Sequence, residues 1–243
     1  MAPTTIGRAT RLLIALLGLL LIGFGLGALS RWALTSSDLR VAQAVASSRT
    51  PAQITIARVF SWLGSGWVVF PLAALCSVVL AVRGRRPWAL AICLSTVGAA
   101  LIANLDKPLV GRPRPHVHPL DTAIGASFPS GHAAQSTGFL VALVISLFAV
   151  RAPRWIKVGA AAACSLLVLS IASSRVYLGV HYPSDVAFGV LLGATWTVIV
   201  TRHFAAPRAS GENDPSSRRR ARAGEGDGPV IRRGPRSGAR AAR

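Results

Sequence analysis

Three short polar stretches interrupt an otherwise apolar chain, and their residue types suit phosphate chemistry. The first carries Lys107, Arg112 and Arg114-Pro115, the second is Pro129-Ser130-Gly131-His132, and the third runs from Ser174-Arg175 to His181 and Asp185. Arginine presents a planar fork that matches phosphate oxygens, and lysine a movable point charge. Cations this close repel one another unless an anion joins them, and Asp106 is the nearby acidic residue that could compensate. Arg112 and Arg114 each precede a proline, so spacing leaves open which of them turns inward.

His181 and Asp185 flank Tyr182-Pro183-Ser184. Proline suits the first turn of a helix, so a helix starting at Pro183 puts His181 just before it and Asp185 in its first turn. A carboxylate bonded to one imidazole nitrogen fixes the tautomer and leaves the other nitrogen free to attack. Ser130 is a natural N-cap, Gly131 lets a ligand approach the backbone, and free N–H groups at a helix start favour an anion. A histidine at the lip of such a site, His132, can donate a proton at neutral pH. Taken singly, each stretch reads as a helix cap or an interfacial charge. Together they make one phosphate pocket with its own nucleophile and acid.

His116 and His118 form an H-x-H pair that could join His132 or His181 around zinc. The surrounding lysine and arginine oppose a cation there, and no aspartate stands at metal-ligand spacing. No metal and no cofactor are expected. Cys76, Cys93 and Cys164 lie in apolar runs, with neither a disulfide framework nor a CxxC pattern.

The elements that must position these residues are membrane helices. Of 243 residues, 52% are hydrophobic and only 14% charged, whereas a soluble domain carries about 25% charged residues. Six stretches approach the roughly 20 apolar residues that span a bilayer: 12–29, 64–82, 87–104, 133–150, 156–173 and 186–204. The first is too long for a signal-peptide core and lacks a clear cleavage site, so an uncleaved helix is expected. Arg8 and Arg11, then Arg83, Arg85 and Arg86, then Arg151, Arg154 and Lys157, fall on one side and mark it as cytoplasmic. The three polar stretches then share the outer face, with both termini inside. Residues 30–63 hold apolar positions that suggest two short interfacial helices separated by Pro51.

The fold expected is therefore all-α, a polytopic six-helix bundle over residues 1–206 in the cell membrane, with its site at the outer interface. The formal charge of +19 is concentrated in part beyond Pro207. Residues 207–243 read as a disordered, Arg-rich cytoplasmic tail suited to anionic inner-leaflet lipids. No aromatic residues interleave its arginines, which argues against nucleic acid.

K-x6-R-P at Lys107–Pro115, P-S-G-H at Pro129–His132 and S-R-x5-H-x3-D at Ser174–Asp185 together resemble the type 2 phosphatidic acid phosphatase family, related to vanadium haloperoxidases and bacterial acid phosphatases. The resemblance covers about residues 50–205. It implies that His181 is the nucleophile forming a phosphohistidine, that Asp185 orients it, and that His132 protonates the leaving oxygen and then activates water. It implies that Lys107, Arg114, Arg175, Ser130 and the Gly131 backbone hold the phosphoryl oxygens, without a metal. The activity expected is that of a membrane lipid phosphatase, with a polyprenyl (undecaprenyl) diphosphate favoured as substrate and phosphatidic acid or phosphatidylglycerophosphate as the alternative. A non-catalytic anionic-lipid binding or transport protein is the competing class, since intramembrane cations also mark transport paths.

Overall fold

The computed structural model describes residues 7–205; the stretch read as a tail lies outside the described residues. Helix α1 (Arg8–Leu29) continues through a π-helical segment, Ser30–Leu34, into α2 (Thr35–Ser47). Pro51 opens α3 (Pro51–Leu63), whose N-cap hydroxyl, on Thr50, accepts the Gln53 N–H at 3.4 Å. Then follow α4 (Gly66–Val82), α5 (Arg86–Val110), a long loop, α6 (Gly131–Phe148), α7 (Arg154–Tyr177) and α8 (Pro183–Phe204).

Five stretches are each long and apolar enough to cross a bilayer: Thr10–Ser47, Arg86–Val110, Gly131–Phe148, Arg154–Tyr177 and Pro183–Phe204. Helices α3 and α4 reach that length only together, across a 43° bend. The chain is an all-α polytopic membrane protein with five to six long apolar helices. The expected span at 64–82 is shorter than it looked. Helix α4 has 17 residues, about 25 Å of helix against a hydrocarbon core of about 30 Å.

Two helices outrun their expected ends. Helix α5 continues past Asn104 to Val110, and α7 past Ser173 to Tyr177. Lys107 and Arg175 therefore stand in last helical turns, not in loops. An apolar run ends at the first charge, but backbone hydrogen bonding ends only where a residue leaves the helical region. For α5 that residue is Gly111, at φ +56°, a left-handed conformation that glycine adopts without a steric cost; its N–H bonds the Lys107 carbonyl at 3.0 Å.

Helices α5, α6 and α8 form the centre of the bundle. Helix α8 crosses α6 at two glycines: a Cβ at Gly193 would lie 2.4 Å from the Ala134 carbonyl oxygen, and one at Gly189 2.6 Å from that of Ser130. This close approach brings the starts of both helices together, and the Ser130 N–H bonds the Asp185 carbonyl at 3.0 Å. Helix α1 lays Leu16, Leu19 and Leu20 against the α5–α8 cluster of Ala99, Ile102, Ala103 and Trp196.

Candidate active site

The bundle gathers the three polar stretches at one end. Lys107, in the last turn of α5, points its Nζ at the carbonyls of Ala126 (3.2 Å) and Pro129 (3.1 Å). Arg114 bonds the carbonyls of Gly125, Ile124 and Ala126 at 3.0–3.2 Å and that of Val180 at 2.7 Å. Its Nη1 also lies 3.3 Å from His181 Nε2. Arg175, in the last turn of α7, reaches the Ser61 hydroxyl and pairs with Asp121 Oδ2 at 2.7 Å.

Ser130 is fully buried and caps α6, its hydroxyl accepting the Ala133 N–H at 3.5 Å. A Cβ at Gly131 would meet nothing within 4 Å, so nothing crowds the backbone there. His132 and Arg175 line one pocket of about 460 Å³, with Arg58, Trp62, Trp67, Asp121 and Thr122 at its walls. The Arg175 carbonyl in turn accepts the His181 N–H at 3.3 Å. All the residues read as site residues from the sequence thus share one neighbourhood.

His181 precedes α8 as expected, and it is 3% exposed. Its Nδ1 stands 3.6 Å from Asp185 Oδ2, just beyond hydrogen-bond length. Asp185 is fully buried; that same oxygen accepts the Tyr182 N–H at 2.9 Å. Burial pushes the His181 pKa down to about 4; Asp185 raises it, while Arg114 and Lys107 lower it further. The imidazole is therefore neutral at physiological pH, with a lone pair available. Burial also lowers the Arg114 pKa, with Arg175 adding to the shift and Asp185 opposing it.

Two expectations need correction. Asp106 does not compensate the cations. It is fully buried, both of its carboxylate oxygens lack a partner, and it faces Gly23 of α1. Successive helical residues point about 100° apart, so Lys107 faces the site while Asp106 faces away. Compensation comes instead from Asp121 at Arg175 and from Asp38 and Asp185 at Arg112. The question of the two arginines is also resolved: Arg114 reaches His181, and Arg112 is buried behind Asp185. Residues 30–47, expected as a separate surface helix, continue α1 and deliver Asp38 to that cluster.

Asp38 and Asp121 are the functional candidates that sequence reading missed. Their signal was rarity, since the chain has only four acidic residues before Glu212. His116 and His118 are exposed. Among the described residues, no group of three or more His, Cys, Asp or Glu side chains gathers as a metal site.

With this geometry in view, the likeness to known proteins takes a definite form. Residues 88–208 match the PAP2 superfamily. The chain is 39% identical over 155 residues to a decaprenylphosphoryl-5-phosphoribose phosphatase of Mycobacterium tuberculosis, an alignment covering 62% of this chain and 80% of that protein. Its fold resembles a transmembrane PAP2-type phosphatidylglycerolphosphate phosphatase from Bacillus subtilis, with a TM-score of 0.65 and 26% identity over 77% of this chain and 93% of the other. Aquifex aeolicus LpxE is also similar, with a TM-score of 0.52 and 29% identity over 68% and 94% of the two chains. The chain belongs to the PAP2 superfamily and to its branch of membrane lipid phosphatases.

Proposed function

We propose that this hydrolase cleaves a phosphomonoester on the headgroup of a membrane lipid through a phosphohistidine. The observation that carries the reading is the 3.3 Å approach of Arg114 to His181 Nε2, beside the amine of Lys107. A phosphoryl group drawn in by these cations and Arg175 meets a neutral, buried imidazole. Nε2 attacks phosphorus, and the bond to the lipid oxygen breaks with its electron pair on that oxygen. His132, protonated in company with the bound phosphate anion, supplies the proton. His132 then takes a proton from water, whose oxygen attacks phosphorus and returns the nitrogen's electron pair to His181. Lys107, Arg114, Arg175, Ser130 and the Gly131 backbone hold the oxyanions as charge moves, and Asp185 steadies the imidazolium.

The sequence favoured a polyprenyl diphosphate; the relatives favour the monoester alternative. The Mycobacterium tuberculosis and Bacillus subtilis proteins are named for a phosphoribose and a glycerolphosphate headgroup. The pocket beyond His132 supports the same choice. Its walls mix Arg58, Asp121 and Thr122 with Trp62 and Trp67, a lining suited to a polar headgroup with an apolar face. Arginine and lysine placement supports a site opening outward, with residues 1–206 as the catalytic domain and both termini inside.

The test is phosphate release by the purified full-length protein in detergent, with EDTA present. The panel holds phosphatidic acid, phosphatidylglycerophosphate, a polyprenyl monophosphate and a polyprenyl diphosphate. Turnover of the monoesters, inhibition by vanadate and loss of turnover in folded His181→Ala are expected. Full activity in His181→Ala would remove the nucleophile from the scheme, and a clear preference for the diphosphate would restore the first substrate.

A further inference from the structure

Behind the proposed nucleophile lies an enclosed cluster of charges in which Asp185 meets Arg112 and Asp38, two residues at no signature position. Arg112 is 1% exposed. Its Nη1 donates to Asp185 Oδ1 at 2.6 Å and to the Ser184 hydroxyl at 2.7 Å, and its Nη2 donates to Asp38 Oδ2 at 2.7 Å. The guanidinium carbon sits 4.2 Å from the centre of the Tyr182 ring. Asp38 accepts the Ser184 N–H at 3.2 Å and also the Ser184 hydroxyl. Buried ion pairs add little to stability over apolar packing of the same volume. This one is placed where its charge acts on a proposed catalytic carboxylate.

We propose that Arg112 and Asp38 are positioning residues for the His181–Asp185 dyad, holding Asp185 in place and leaving one net negative charge behind the nucleophile. The inference rests on the reading of His181 as the attacking group. Asp185 Oδ2 accepts the Tyr182 N–H and faces His181 Nδ1 at 3.6 Å. Arg112 grips the other oxygen, so the carboxylate cannot turn. Arg112, Asp38 and Asp185 carry one positive and two negative charges. As Nε2 bonds to phosphorus, the imidazole gains positive charge, which that net negative charge stabilises. Without Asp38, Arg112 would lean on Asp185 alone and cancel it.

The two residues must therefore act in opposite directions on the titration of His181. The other charged or titratable groups facing His181 are Asp185 on α8, Arg114 in the long loop, Lys107 on α5 and His132 on α6, with Tyr182 adjacent and Arg175 on α7 bonded through its carbonyl. None of these charges is removed when Arg112 or Asp38 is changed. The substrate's own ionisation is common to every variant.

The experiment measures kcat and the acid limb of kcat/KM for phosphate release from phosphatidic acid by the full chain in detergent. Asp38→Asn should move the limb to lower pH by about half a unit or more and lower kcat about tenfold, less than loss of the orienting carboxylate itself would. Arg112→Gln should move the limb to higher pH while also lowering kcat. The double variant should bring the limb back towards the wild-type position. Arg112→Lys keeps the charge but loses the planar fork, so it should lower kcat and leave the limb in place.

Wild-type kcat and an unmoved limb in folded Asp38→Asn and Arg112→Lys would overturn the inference, as would shifts of the same sign in Asp38→Asn and Arg112→Gln. If Arg112→Gln does not fold, Asp38→Asn and Arg112→Lys decide alone. Retained turnover in His181→Ala overturns the phosphohistidine reading and this inference with it. An inactive His181→Ala beside unaffected Arg112 and Asp38 variants overturns only the positioning role.

Discussion

Asp121→Asn should tighten substrate binding. Arg175 is a proposed phosphate ligand, yet its Nη1 is held by Asp121 Oδ2 at 2.7 Å. Burial would raise the Asp121 pKa, but the hydrogen bond and charge of Arg175, with the Thr122 N–H, outweigh it and hold the carboxyl below its usual range. It is an anion at neutral pH. An arriving phosphate must share or displace that anion, and the two negative charges repel.

At an effective dielectric of 20 the direct pair would be worth on the order of 4 kcal/mol at about 4 Å. The Asp121 side chain is 36% exposed, so solvent screening cuts this to about 1–2 kcal/mol. Removing the charge should therefore lower KM by roughly 5- to 30-fold. Inhibition by inorganic phosphate should strengthen in parallel, while kcat changes little, because Asp121 is assigned no role at the reacting atoms. Steady-state phosphate release and product-inhibition curves read both quantities. An unchanged or raised KM in the folded variant would refute the competition argument and make Asp121 the residue that aims Arg175.

Three further outcomes follow from the geometry. The His181 pKa lies near 4 in the fold against about 6.5 when unfolded, so the unfolded chain binds more protons between those values and stability must rise with pH across that window. Thermal unfolding in detergent should show a loss approaching about 3 kcal/mol from pH 6.5 to 4, with His181→Gln flatter over the same range. Gly193→Leu forces a side chain against the Ala134 carbonyl, so it should destabilise by about 1–3 kcal/mol and lower activity by separating the starts of α6 and α8; an unchanged melting temperature would contradict that packing. Removal of residues 207–243 should leave detergent phosphatase activity intact, and its loss would assign the basic stretch a catalytic part.

How far the site was legible depended on the range of each contact. The His181–Asp185 pair spans four residues and a proline, so helix-start chemistry alone placed it. Ser130 as an N-cap was equally local. The Arg112–Asp38 bond joins positions 74 apart and the Arg175–Asp121 bond positions 54 apart; no local rule connects such residues. Asp106 stands beside Lys107 along the chain but not in space, because successive helical residues point in different directions. The spans themselves were plain from composition. Their ends were not, because Lys107 and Arg175 are charged residues that remain inside a hydrogen-bonded helix.

The Ala126 carbonyl is shared by Lys107 and Arg114 at 3.2 Å each. Both cations thus rest on peptide oxygens of the loop instead of standing bare. A phosphoryl oxygen that recruits either donor exchanges one acceptor for another, and the net gain is the difference between two hydrogen bonds. In the proposed scheme, departure of inorganic phosphate would be eased by the same swap in reverse, because the loop backbone waits beside each donor to take it back. The proposed phosphate cradle, built this way, would grip a transferring group without becoming a trap for the spent one.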